Sequence, residues 1–169
     1  NGVAVVTNPG AKGKGTLVVL NDEIHYARNV MKTNTTTVQT FVSINRGPAG
    51  VVNTGKIQWF EPMDRKVGPA TGFSVDALDK LPRVDVIYAH ANMSADLIDA
   101  AIKNGAKGLV IAGVGDGNMT TPALDAVTRA AKSGIVVVRS TRLASGITLR
   151  NNEVNDDEKG LVASGELNP

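Results

Sequence analysis

A chain of 169 residues with 42% hydrophobic and 20% charged residues has the make-up of an ordinary globular protein, long enough for one full core or for one domain and part of another. The formal net charge of +2 comes from scattered Lys and Arg, so a pI near 9.0 is no argument for nucleic-acid binding. The absence of cysteine excludes disulfides, thiolate chemistry and any Cys-based metal site; His25 and His90 lack metal-ligand spacing, and no apolar run approaches the ~20 residues of a membrane span.

Asn1 to Thr7 reads as the tail of an apolar element that runs into the loop Asn8-Pro9-Gly10. Thr16 to Leu20 is predicted to be a buried strand, closed by the polar Asn21-Asp22-Glu23. Lys12, Lys14, Arg28 and Lys32 lie close in sequence without aromatic residues between them and read as a solvated face. Both histidines read as surface or loop residues. Thr33-Asn34-Thr35-Thr36-Thr37 is too β-branched and polar for a stable helix and reads as a loop or capped turn. Val51-Val52 and Lys56 to Phe60, joined by Asn53-Thr54-Gly55, carry a hairpin pattern in which Trp59 is a packing residue. Residues 61–82 hold Pro62, Pro69 and Pro82 and few apolar runs outside Phe73 to Leu78, the composition of a linker.

Beyond residue 82 the pattern becomes regular. Val84 to Ala89 reads as a strand, and Ser94 as the cap of a helix with Leu97, Ile98, Ala101 and Ile102 on one face, stopped by Asn104-Gly105. A strand over 106–112 follows, then a helix over 121–132 with Thr120 or Thr121 as cap, Pro122 in its first turn and Leu124, Val127 and Ala131 on its apolar face. Gly134 ends it, and Ile135 to Val138 is the next strand. Strands alternating with helices predict a parallel sheet and a small doubly wound α/β domain. Asn168-Pro169 has the form of a helix start, so the two ends together read as those of a fragment or processed piece.

The stretch between the second strand and its helix, Gly113-Val114-Gly115-Asp116-Gly117-Asn118, stands where ligands sit in open α/β sheets. Its glycines free the backbone for positive φ and for close approach to a ligand or another chain. The spacing lacks the third glycine of a dinucleotide fingerprint, and no acidic residue closes a second strand at the expected distance. The residues alone therefore indicate a tight strand-to-helix turn with a ligand role.

Several segments also carry a family resemblance. Leu17 to Ile24, Ala27-Arg28, Lys32-Thr33-Asn34-Thr35-Thr36, Leu81 to Tyr88, Gly113 to Asn118, Val137 to Arg142 and Leu167-Asn168-Pro169 resemble, in order, the bacterial type II L-asparaginases and glutaminase-asparaginases. The resemblance implies an α/β chain: residues 1–60 as the latter part of an amino-terminal catalytic domain, 61–82 as linker, and 83–169 as an incomplete carboxyl-terminal domain with a parallel sheet. It implies an amidohydrolase that converts L-asparagine, and in part of the family L-glutamine, to the acid and ammonia without a cofactor or metal. It further implies a homotetramer built from intimate dimers, with no nucleic-acid or membrane partner, in the periplasm or secreted.

In that family a threonine nucleophile sits in Thr-Gly-Gly-Thr-Ile and a second threonine in His-Gly-Thr-Asp-Thr; neither motif occurs in this sequence. The isolated segment is therefore expected to be inactive. Lys32 matches the family lysine that helps move a proton during attack, a role an ammonium beside a carboxylate and a hydroxyl can fill. Asn118 matches the asparagine that enters the site from a neighbouring subunit, its amide offering donor and acceptor. Glu153 matches the glutamate that meets the substrate α-amino group. Without the resemblance, Lys32 reads as a surface lysine, and Glu153, with Asp156, Asp157 and Glu158, as part of an acidic surface loop. Asp116 departs from the family, where many relatives have asparagine; beside glycine it reads as a hydrogen-bonded turn residue, while as an extra negative charge it would alter substrate preference. Two other readings stand beside the enzyme: a non-catalytic α/β module whose glycine turn holds a small anion, and an inactive piece of an assembly.

Overall fold

A computed structural model describes residues 1–60, 62 and 65–169; three positions of the expected linker, 61, 63 and 64, lie outside the described residues. The chain divides into two compact units, Asn1–Leu78 and Asp79–Pro169.

The first unit is built on antiparallel pairing. A short helix α1 (Gly2–Thr7) and a 3₁₀ turn (Pro9–Ala11) precede strands β1 (Leu17–Leu20) and β2 (Glu23–Tyr26). Asn21 and Asp22 have φ of 49° and 61°, both left-handed, and join β1 to β2 with Leu20 opposite Glu23. Two such residues match the right-handed twist of a hairpin. The sequence reading closed β1 at these polar residues and saw no second strand, because Ile24, His25 and Tyr26 are consecutively buried and show no alternation. The strand β1 expected to be buried is only half-buried along its length. A two-stranded ribbon follows, β3 (Met31–Lys32) with β4 (Phe41–Val42). The expected hairpin is β5 (Gly50–Asn53) and β6 (Lys56–Trp59), turned by Thr54-Gly55. The four longer strands form one sheet in the order β1-β2-β5-β6.

Val5, Ile24, Tyr26, Ala49 and Val52 make the core of this unit, with Leu17, Val19, Ile57 and Trp59 against it. Full burial of side chains such as Ile24 and Val52 contributes about 1.5–3 kcal/mol each. Trp59 packs here as expected, its Nε1 donating to Asn8 Oδ1 at 3.1 Å while Lys14 Nζ stands 4.9 Å from its ring centroid.

His25 corrects the sequence reading. It is 1% exposed on β2, with Nδ1 2.9 Å from Ser43 Oγ and Nε2 3.3 Å from Glu23. Burial pushes its pKa below the ordinary value, and the nearby Glu23 carboxylate only partly opposes that shift. The unfolded chain then binds a proton that the folded one resists, so stability present above about pH 6.5 is lost as pH falls below it. Unfolding followed by Trp59 fluorescence is expected to show a lower denaturant midpoint at about pH 5.5 than at about pH 7.5, with the difference reduced in His25→Gln. Equal pH dependence in both proteins would refute the assignment. His90, by contrast, lies in an exposed loop, as read from sequence.

The second unit carries a parallel sheet of order β10-β9-β8-β7. Strand β7 (Val84–Tyr88) leads through α2 (Asp96–Lys103) to β8 (Gly108–Gly113), and α3 (Thr121–Lys132) leads to β9 (Val136–Thr141). Helix α4 (Asp156–Lys159) precedes β10 (Val162–Ala163). The fold is thus α/β, as expected. Ile87, Leu109, Ile111 and Val137 meet Ile98 and Ala101 of α2 and Ala123, Ala126, Val127 and Ala130 of α3 in one core. On the register rows between, Val84, Val86, Tyr88 and Val136 remain exposed.

Helix α3 has its predicted bounds, and the Thr120 hydroxyl caps it by accepting from Ala123 N. Ser94 is not the cap of α2: the helix begins two residues later after Ala95, and the Ser94 hydroxyl accepts from Asp96 N at 3.3 Å. Leu97, expected on the buried face, is 58% exposed; Ile98 and Ala101 carry that face.

Candidate functional site

The carboxyl ends of β7, β8 and β9 are bound into one edge by side chains that reach neighbouring loops. Thr120 Oγ1 donates to Met93 O at 2.6 Å, Arg142 Nη1 to Ala89 O at 2.8 Å, and Thr141 Oγ1 to Gly115 O at 2.6 Å. The glycine turn lies in the middle of that edge. Val114 and Asn118 exchange backbone hydrogen bonds of 2.7 Å, which closes the turn on itself.

The glycines serve this closure. A Cβ on Gly113 would stand 2.3 Å from the Gly117 carbonyl carbon. Gly117 has φ +78°, and a Cβ there would meet Arg139 Nη1 at 2.8 Å. Both the positive φ and the close approach expected from sequence are present, and the approaching groups are this chain's own backbone and Arg139.

Arg139 lies at the centre. It belongs to β9 and is fully buried, as is Asp156 at the start of α4. Its Nε and Nη2 donate to the two Asp156 oxygens at 2.8 Å each, a bidentate pair. The same guanidinium donates from Nη2 to Leu149 O at 2.8 Å and from Nη1 to the Asp116 carbonyl oxygen. Asp156 Oδ2 also accepts from Asn151 N at 2.9 Å. Burial alone would raise the Asp156 carboxyl, but the Arg139 hydrogen bonds and the Asn151 N–H outweigh it and hold the pKa below the usual carboxylate range. Asp156 therefore leaves the acidic surface loop in which the residues alone placed it. Asp157 and Glu158 do lie exposed on α4.

Asp116 is hydrogen-bonded, as the turn reading requires, but its partners lie across a gap in sequence. Its Oδ1 accepts from Leu149 N at 2.7 Å and its Oδ2 from Asn152 Nδ2 at 2.8 Å. The structure thereby ties the loop that bears Glu153 to the turn that bears Asn118. Glu153 is exposed, in the bend before α4, and Asn118 is half-buried. Neither the Asn118 amide nor the Glu153 carboxylate is among the groups that Arg139, Asp116 and Asp156 bind.

Lys32 belongs to the first unit. It is exposed at the end of β3, its Nζ 5.4 Å from the centroid of the Phe41 ring. The loop after it is fastened at its neck, with Thr33 N donating to Thr40 O at 2.7 Å. Asn34 Oδ1 accepts from Thr36 N and Thr37 N at 2.9 and 3.1 Å, the capped turn expected of this segment. Also within the first unit, Lys12, Lys14, Arg28, Arg65 and Lys66 line a cavity of about 620 Å³. Among the described residues no group of three or more His, Asp or Glu side chains could hold a metal ion.

Arg139, Asp156 and Asn152 were not singled out from the sequence. The available signal was the arginine inside the apolar run Val136-Val137-Val138-Arg139, since a buried guanidinium requires a carboxylate and the acidic run at 156–158 supplies one.

Comparison with known proteins fits both units. Residues 1–65 match the family model described as the N-terminal asparaginase domain, and residues 83–169 the glutaminase/asparaginase C-terminal domain. L-asparaginase 2 of Bacillus subtilis (strain 168) is 48% identical over 169 residues, covering 100% of this chain and 44% of the relative. A protein named probable L-asparaginase periplasmic, from Haemophilus influenzae, is 43% identical over 169 residues, covering 100% of the chain and 48% of the relative. Glutaminase-asparaginase of Pseudomonas fluorescens biotype A is 35% identical over 170 residues, covering 100% and 47%. The chain spans about half the length of the curated relatives it matches.

Proposed function

The chain belongs to the glutaminase/asparaginase family, and on that premise we propose that the protein carrying it hydrolyses the side-chain amide of L-asparagine, with L-glutamine as a second substrate. The match of all 169 residues of this chain to about half the length of proteins named asparaginase is the observation that carries this reading. In domain terms residues 1–60 are the latter part of the catalytic domain, 61–82 the linker and 83–169 the carboxyl-terminal domain.

The reaction is a double displacement. A threonine hydroxyl supplied from outside these 169 residues attacks the amide carbonyl, and the C–N bond breaks as ammonia leaves with the transferred proton. Backbone N–H groups stabilise the oxyanion, and water then cleaves the acyl ester to give the acid and restore the hydroxyl. Lys32 moves the proton during attack. Asn118 and Glu153, presented by a second subunit of a homotetramer, hold the substrate, the carboxylate facing its α-ammonium. That neither side chain is bound by Arg139, Asp116 or Asp156 supports that assignment. The periplasm is the proposed location.

The anion-binding alternative meets two obstacles in the glycine turn. The Asp116 carboxylate lies in the turn itself, and the space beside Gly113 is filled by Gly117. A carboxylate there repels an anion rather than attracting one.

Ammonia release decides between these readings. The whole protein is expected to release ammonia from L-asparagine, and the 169-residue chain alone to release none. Whole protein inert toward both amides would overturn the amidohydrolase reading; turnover by the isolated chain would overturn the external nucleophile.

A further inference from the structure

We propose that Asp116 is a positioning residue, a latch whose carboxylate fixes the Glu153 loop against the glycine turn and so sets Glu153 relative to Asn118. The latch itself stands on the geometry; its consequence for substrate rests on the amidohydrolase reading.

Residues 150–153 are a run of turns and bends, and 149–153 are exposed. Such segments sit at the low end of local stability unless their backbone groups are tied. Asp116 ties both ends of this one: Oδ1 takes the Leu149 N–H and Oδ2 the Asn152 amide. The Asp116 residue is itself immobilised, because its carbonyl accepts from Arg139 and Gly117 is wedged against the same guanidinium. Arg139 returns to the loop through Leu149 O, and Asp156 through Asn151 N. The result is a closed circuit with Asn118 two residues beyond one node and Glu153 one residue beyond another.

Within that circuit the two carboxylates do different work. Asp156 is buried and compensates Arg139, so its removal leaves a stranded charge. Asp116 is half-buried and takes only neutral donors, so its removal frees a loop without stranding a charge. The division predicts a variant that folds normally and binds poorly. It further predicts that asparagine can stand in for Asp116: a side-chain amide keeps one oxygen for the Leu149 N–H, and its nitrogen can donate to the Asn152 oxygen once that amide turns over.

Hydrogen exchange on the whole protein, read by mass spectrometry over residues 149–153, tests the latch. Asp116→Ala is expected to speed exchange there by about tenfold or more, the loss of hydrogen bonds to a charged acceptor, while strands β8 and β9 keep their protection. Asp116→Asn is expected to restore the wild-type rate, and Asn152→Ala, which removes one bond only, to fall between. Under the amidohydrolase reading, Asp116→Ala raises KM for L-asparagine about tenfold or more with a smaller change in kcat, and Asp116→Asn returns KM toward wild type.

Unchanged exchange at 149–153 in Asp116→Ala would overturn the latch whatever the enzyme does. Faster exchange with unchanged KM would overturn its positioning role. A wild-type protein inert toward both amides sinks the amidohydrolase reading instead, and the exchange measurement then decides the latch by itself.

Discussion

Replacing Arg139 by methionine is expected to destabilise the second unit by about 3–5 kcal/mol, the range for breaking a buried ion pair by removing one partner. Arg139 and Asp156 are both 0% exposed and joined by two hydrogen bonds of 2.8 Å. Methionine fills similar volume but leaves the Asp156 carboxylate buried with the Asn151 N–H as its remaining close partner, and it removes the donors to Leu149 O and the Asp116 carbonyl. Asp156→Ala strands the guanidinium and is expected to cost a comparable amount. The double variant Arg139→Met with Asp156→Leu removes both charges, so its loss is expected to be smaller than that of either single change. Calorimetric unfolding of the second unit reads all three. Single variants within about 0.5 kcal/mol of wild type would show that the pair contributes nothing.

The pair also fixes how this unit responds to acid. Because the Asp156 pKa is held below its unfolded value, the folded state binds fewer protons wherever the unfolded carboxyl is protonated. Its contribution is therefore present above about pH 4 and lost as pH falls through the folded value. His25 acts in the first unit at higher pH, between about 6.5 and its own lowered value. Mild acid is thus expected to weaken the first unit before the second.

What could be read from the sequence followed the strength of local signals. Helix α3 emerged with its bounds because Thr120, Pro122 and Gly134 mark both ends and its apolar positions recur at helical spacing. The β5–β6 hairpin emerged because Thr54-Gly55 separates two apolar runs. The β1–β2 hairpin did not, since its turn is built of Asn21 and Asp22 in left-handed conformation, a choice that resembles a polar strand end when no glycine marks it. His25 was misplaced for a related reason: a single histidine between Ile24 and Tyr26 gives no sign that Ser43 will meet its Nδ1 and that the Glu23 carboxylate will stand 3.3 Å from its Nε2.

The site shows the same division. The glycine turn announced itself by composition, and the resemblance supplied Lys32, Asn118 and Glu153. No periodicity, however, could relate Asp116 to Leu149 or Arg139 to Asp156, since those contacts span 33 and 17 residues. Long-range polar pairs are set by tertiary packing, and they are what gives the site residues their places. The residues with proposed chemical roles keep their polar ends out of that network, while Arg139, Asp116 and Asp156 use theirs to hold the scaffold.

Lys32→Met in the whole protein is expected to lower kcat by about 10²–10⁴-fold, the usual share of a positioned proton-transfer group. The fold gives little reason for any other effect. Lys32 is exposed on a two-residue strand, and its one aromatic contact, 5.4 Å from the Phe41 ring centroid, is of a kind that contributes about 0.5–1 kcal/mol at exposed positions. Unfolding of the first unit is therefore expected to move by no more than about that amount. Lys32→Arg sharpens the test, because a guanidinium keeps the positive charge yet cannot give up its proton at working pH. If the lysine serves only as a surface charge, the arginine variant retains full kcat. If it moves a proton, both variants fail with the fold intact and KM is altered less than kcat. Retention of more than about a tenth of kcat by Lys32→Met would remove Lys32 from the chemistry and leave its exposed place on β3 as that of an ordinary surface lysine.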